Sequence, residues 1–122
     1  MAAPNLKNPT TITGKTARYA VTDSLASVLA NSAASGKVFK INSIFCANVD
    51  AANPPQPADI SVSIYDGSDH RYIAKTITVP ADATQIISSK DTYFYLEEDR
   101  SIYAECNDAS DLQLVISYEE IS

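Results

Sequence analysis

The chain has 122 residues with nine basic and fifteen acidic side chains, a net charge of −6, and hydrophobic and charged fractions of 45% and 20%. That length suits one domain, and the apolar fraction excludes a disordered chain. The acidic balance argues against a nucleic-acid partner, and no run approaches the roughly 18 apolar residues of a membrane span, so no membrane partner is expected either.

In chain order, residues 1–9 hold Pro4 and Pro9 and little apolar material, and read as an extended arm ahead of a single domain over 10–122. They lack the apolar stretch of a signal peptide, which gives the expectation of a soluble chain made in the cytosol. Strands are predicted at about 10–21, 25–31, 37–48, 59–66, 71–79, 84–89, 92–97, 101–106 and 111–119. The clearest are period-two: Ile60, Val62 and Ile64 alternate with Ser61, Ser63 and Tyr65, and Leu112, Leu114 and Ile116 alternate with Gln113, Val115 and Ser117. Residues 23–34 admit a short helix capped by Asp23, but strand is the preferred reading. Turn signals separate the strands at Ser35-Gly36, Asp66-Gly67-Ser68-Asp69, Pro80-Ala81-Asp82, Glu98-Asp99-Arg100 and Asn107-Asp108. Residues 50–58, with Pro54, Pro55 and Pro57, read as a stiff loop.

The fold expected is all-β, an antiparallel β-sandwich of about eight strands, jelly-roll or immunoglobulin-like. Its predicted core is Ile41, Ile60, Val62, Ile64, Ile102, Leu112, Leu114 and Ile116. Tyr93, Phe94 and Tyr95 are consecutive, so one face of that strand must carry rings away from the core.

Motifs of chemistry are incomplete. Thr13-Gly14-Lys15-Thr16 resembles the end of a phosphate loop, but Pro9 stands where the first glycine is needed and a strand follows. The one histidine, His70, has no nucleophile-elbow partner and reads as an exposed turn residue. Cys46 and Cys106 lack metal-ligand spacing; free buried thiols are preferred over a bridge between the sheets. The acidic runs Glu97-Glu98-Asp99 and Asp66/Asp69 read as solvated turn carboxylates rather than calcium ligands. No enzyme activity, cofactor, metal or small-molecule substrate is therefore expected. Charge is uneven along the chain: residues 1–50 carry five basic side chains against two acidic, and the remainder four against thirteen. Such a split suits head-to-tail contact between copies.

Four segments carry a resemblance: Lys40-Ile41-Asn42-Ser43-Ile44-Phe45-Cys46-Ala47-Asn48, Ile77-Thr78-Val79-Pro80-Ala81-Asp82-Ala83-Thr84, Phe94-Tyr95-Leu96-Glu97-Glu98-Asp99-Arg100-Ser101-Ile102 and Leu114-Val115-Ile116-Ser117-Tyr118-Glu119-Glu120-Ile121-Ser122. Over residues 37–122 the chain resembles small virion proteins of tailed bacteriophages, many from marine and cyanobacterial hosts. It departs from their pattern at Glu98-Asp99-Arg100, where they usually have a glycine. The resemblance implies a non-enzymatic β-sandwich that assembles in the host cytoplasm onto the particle, at head, neck or tail. Its partners would be other copies and capsid or tail proteins. The arm and the proline loop suit docking and the tyrosines suit an interface, which gives Asn5, Leu6, Lys7, Asn53, Pro54, Pro55, Pro57, Tyr93 and Tyr95 as candidate contact residues. A host-surface glycan module using Tyr93, Tyr95 or Tyr103 is the alternative.

Overall fold

The computed structural model describes residues 4–109 and 111–122, so the first three residues of the arm lie outside the described residues. Nine strands follow one another: β1 (Ile12–Ala20), β2 (Ala26–Asn31), β3 (Val38–Asn48), β4 (Ala58–Tyr65), β5 (His70–Val79), β6 (Thr84–Ser88), β7 (Phe94–Leu96), β8 (Arg100–Cys106) and β9 (Leu112–Ile121). All pair antiparallel. One sheet, A, runs β1-β9-β3, with β6 and β7 end to end along the far edge of β3; the other, B, runs β2-β8-β4-β5.

With β6 and β7 counted as one interrupted strand, this is the jelly-roll order, two sheets built from Greek keys. An immunoglobulin sandwich sets its first two strands side by side. Here β1 and β2 lie in different sheets, so that option falls. Residues 26–31 form strand, as preferred, and Asp23 caps nothing there.

The strand expected over 92–97 is shorter. A 3-10 turn at Lys90–Thr92 cuts it to three residues. Thr92 closes that turn: its backbone N–H donates to Ser89 O at 3.0 Å, and its hydroxyl accepts from Ser89 N at 3.2 Å. β6 therefore pairs Ile44–Ala47 and β7 pairs Phe39–Ile41, leaving β3 to span both.

Period-two alternation sets the core. Ile41, Ile60, Val62, Ile102, Leu112, Leu114 and Ile116 are fully buried. Ile64 is a correction: it is half-buried, packed against the core at the rim where β4 runs into the Asp66–Asp69 turn. Cys46 on β3 and Cys106 on β8 are buried members of the same core and are free thiols.

The glycine-free turn at Glu98-Asp99-Arg100 keeps the left-handed geometry, with Asp99 at φ 62°. Aspartate is among the few residues that tolerate this conformation. The Asp99 N–H donates to Asn31 O at 2.8 Å.

Two buried asparagines hold the strand ends. Asn31, 2% exposed, donates through Nδ2 to Lys37 O at 2.9 Å and Leu96 O at 3.0 Å, while its Oδ1 accepts from the Ser35 hydroxyl. Asn48, 5% exposed, donates through Nδ2 to Gln56 O at 2.9 Å and Val79 O at 3.1 Å, while its Oδ1 accepts from Asp50 N. Each side chain thus satisfies carbonyls that the ladders leave unpaired.

Candidate interaction surfaces

β7 puts Phe94 inward against the core and leaves Tyr93 and Tyr95 on the outside of sheet A, 47% and 40% exposed. Their rings meet edge to face, with centroids 5.8 Å apart and planes at 85°. The Lys40 ammonium lies 4.5 Å from the Tyr93 ring centre, a cation–π contact.

Farther along the same face, Phe45 is the register partner of Ile86 on one side and Val115 on the other. All three are exposed, and they form an apolar row across three strands. Alternation predicts Val115 outward but gives no sign that Phe45 and Ile86 stand beside it.

Asn5, Leu6 and Lys7 are exposed. Asn5 folds the arm into a turn: its Oδ1 accepts from Lys7 N at 3.0 Å and its carbonyl from Asn8 N at 3.1 Å. Beyond the arm, Thr11 and Ser122 exchange backbone bonds and their hydroxyls hydrogen-bond to each other.

In the proline loop, Asn53, Pro54 and Pro57 are exposed and Pro55 is half-buried. The prolines stiffen this loop, and the chain adds hydrogen bonds of its own. The Asp50 carboxylate accepts from Ala52 N at 2.9 Å and Gln56 N at 2.8 Å, and these bonds hold its pKa below the ordinary aspartate value.

The predicted contact residues do not make one surface. The arm and the tyrosines lie toward the start of β3, beside Val38 and Lys40; the proline loop follows Asn48 at the opposite end. Tyr103 is on the other sheet, so it shares no platform with Tyr93 and Tyr95.

His70 is not an exposed turn residue. It opens β5 directly opposite Tyr65, half-buried, stacked on Tyr65 at 4.4 Å and edge-on to Tyr103 at 5.0 Å. Its Nδ1 lies 3.0 Å from the Ser63 hydroxyl. Ser63 is fully buried, and no carboxylate among the described residues hydrogen-bonds to the ring, so this pair is packing and not a nucleophile with its base.

The charge split along the sequence is undone in space. β9, from the acidic portion, lies between β1 and β3 from the basic portion. Glu120 there accepts from Lys15 at 2.9 Å and Lys37 at 3.0 Å, which lowers its pKa, the Lys15 hydrogen bond first. Two of the five early cations are thus paired within the chain. Lys15 is also the lysine of the phosphate-loop fragment, here in a strand.

Asp66 caps its own turn by accepting from Ser68 N and Asp69 N, and Glu98 accepts from Gly36 N. Among the described residues no three His, Cys, Asp or Glu side chains are placed to share a metal ion. No helix there is long and apolar enough to cross a membrane. A depression of about 350 Å³ lies over β1 and β9 and is lined by Arg18, Tyr19, Ala20, Gln113, Leu114 and Val115. It offers no acid–base pair.

No protein-family profile matches the chain, and no curated protein matches it. Among the solved structures to which the chain is similar are two crystal structures of a pentameric capsid protein isolated from metagenomic phage sequences. Each is 13% identical with a TM-score of 0.41 and covers 87% of this chain. The chain spans 60% and 62% of their lengths.

Proposed function

We propose that this chain is a non-enzymatic structural component of a tailed-phage virion, a decoration, neck or tail accessory protein acting through subunit contacts with its own copies and with capsid or tail proteins. The observation that carries the reading is the exposed row Ile86–Phe45–Val115, with Tyr95 and Tyr93 farther along the same outer face of sheet A, near Lys40. A contiguous apolar patch on a small soluble domain marks a contact surface. The sequence resemblance supplies the setting. Jelly rolls recur in viral capsids and in lectins alike, so the fold by itself does not choose.

The arm residues Asn5, Leu6 and Lys7 and the loop residues Asn53, Pro54, Pro55 and Pro57 are the secondary docking elements of this reading. The loop's own hydrogen bonds reduce the ordering cost of such docking. A host-glycan module remains the second reading, favoured by the two exposed tyrosine rings. Set edge to face, they do not present a single stacking plane.

Mass spectrometry of purified particles, with cryo-EM to place the density, tests the proposal. The chain is expected in particles with the Phe45 face covered by a neighbour. A chain absent from particles, or one whose Phe45 face is bare in every copy, overturns it. Sugar binding by the free chain that is lost in Tyr93→Ala would favour the second reading.

A further inference from the structure

A sandwich has strand edges whose backbone groups are unpaired, and such an edge is a template for another chain unless something blocks it. Three of the four edges here are blocked. The β6/β7 edge is broken by the 3-10 turn into pieces of five and three residues. β2 has six residues and a register break between Ser27 and Leu29. β5 breaks register twice and is kinked at Thr76, a β-branched residue at φ 55°. β1 has none of these defences. Its nine residues contain no proline and pair with β9 without a break from Ile12 to Ala20.

The outward groups of β1 follow from its inner ladder. Thr11 and Ser122 exchange both backbone bonds, and Val21 N donates to Leu112 O, so the odd residues of this run bond to β9. Pairing alternates in an antiparallel ladder, so Ile12, Gly14, Thr16, Arg18 and Ala20 aim their N–H and C=O groups away from the sheet.

We propose that β1 is a homodimerisation edge, pairing antiparallel with β1 of a second copy about a two-fold axis at Thr16. A second copy is the occupant because the match is self-complementary. Centred on Thr16, each outward residue meets another outward residue: Ile12 meets Ala20, Gly14 meets Arg18 and Thr16 meets itself. Each donates one bond and accepts one, over the whole strand. No like charges are opposed, since Lys15 faces Ala17. Centring on Lys15 or on Arg18 would oppose two cations and shorten the ladder. The pairing joins the two A sheets into one continuous sheet with an isologous interface. It names the surface for the self-contact in the virion reading but concerns the isolated chain, and is read without particles.

Analytical ultracentrifugation of the full chain tests it. The wild type is expected to dimerise. Thr16→Pro removes only an outward donor, where proline is tolerated on an edge strand. It should keep the circular-dichroism spectrum and melting temperature while weakening dimerisation by about tenfold or more, through the two bonds lost at the axis. Thr16→Cys should form an intermolecular disulfide on mild oxidation, because bonded partners across such a ladder sit about 5.5 Å apart at Cα, within disulfide reach. A wild type that stays monomeric across the micromolar range, a Thr16→Pro variant that dimerises as the wild type does, or a Thr16→Cys variant that gives no covalent dimer overturns the proposal. None of these results touches the virion reading, and a dimer absent from particles overturns that reading alone.

Discussion

Asn31 and Asn48 do the same work at opposite ends of β3. Each is the last residue of its strand, each is buried, and each side-chain amide donates to one carbonyl in the loop that follows it and one at the end of a strand distant in sequence. Asn31 binds the approach to β3 and the end of β7; Asn48 binds the proline loop and the end of β5. These two side chains fix how the loops leave the sandwich.

Replacing Asn31 by Ala strands the carbonyls of Lys37 and Leu96. A loss of about 2–4 kcal/mol is expected in urea unfolding, since each buried group left unsatisfied costs about 1–3 kcal/mol. A loss below about 1 kcal/mol would show that water replaces the amide.

In the core, Ile60→Ala should cost about 2–5 kcal/mol, the lost transfer energy plus a cavity. Ile64→Ala should cost clearly less, because that side chain is already partly in water. Equal losses would mean that the rim is closed in solution.

The thiols should be silent in the native state. Burial pushes the Cys46 pKa up to about 12 and raises that of Cys106 as well. Neither should react with a thiol reagent at pH 8, and both should react after denaturation without reductant. A chain that needs reduction first contains a bridge.

Acid should weaken the junction of β1, β9 and β3. Lys15 and Lys37 lower the Glu120 pKa, so its folded value lies below its unfolded value. The stabilisation is present above the ordinary glutamate range, about pH 4–5, and is lost as pH falls through the folded value. Glu120→Gln should flatten that part of the stability profile and leave the neutral part parallel to wild type. An unchanged acid limb would show that the pair contributes nothing.

Asp111 has the opposite sign. Desolvation and the neighbouring Asp108 raise its pKa, so ionising it costs stability as pH rises. Asp111→Asn should be more stable than wild type at pH 7 and no more stable at pH 3. A variant equally stable at both would place the two carboxylates farther apart than they stand here.

Alternation along β4, β8 and β9 made the sandwich legible, because a strand with one face in the core records that face every second residue. It could not choose between jelly roll and immunoglobulin order. That choice lies in which distant strands pair, and Ile116 opposite Ala17 leaves no local mark. The break at Lys90–Thr92 was missed because it depends on the hydroxyl of Thr92 turning back to Ser89. Three consecutive rings place Tyr93 and Tyr95 outside, but the pairing of Phe45 with Ile86 farther along the face comes from register. His70 reads as a turn residue because one of the two rings that cover it, Tyr103, is thirty-three positions away. Asn31 and Asn48 carry no mark of their role, since nothing in a single sequence separates an asparagine that faces water from one that plugs a strand end.

The centre of each sheet is its last-made strand. β9 separates β1 from β3, and β8 separates β2 from β4. While the ribosome is still short of β8, β1 and β2 have no neighbour to pair with in either sheet; only the hairpin of β4 and β5 and the pairings of β6 and β7 on β3 are available. Growing from one end, this chain cannot fold in halves. Both sheets close only when residues 100–121 arrive, at the long loop-closure cost of joining β1 to β9. A stop codon anywhere in β9 should therefore abolish the whole fold and not merely trim an edge, and a nascent chain stalled before β8 should remain open to proteases along its first thirty residues.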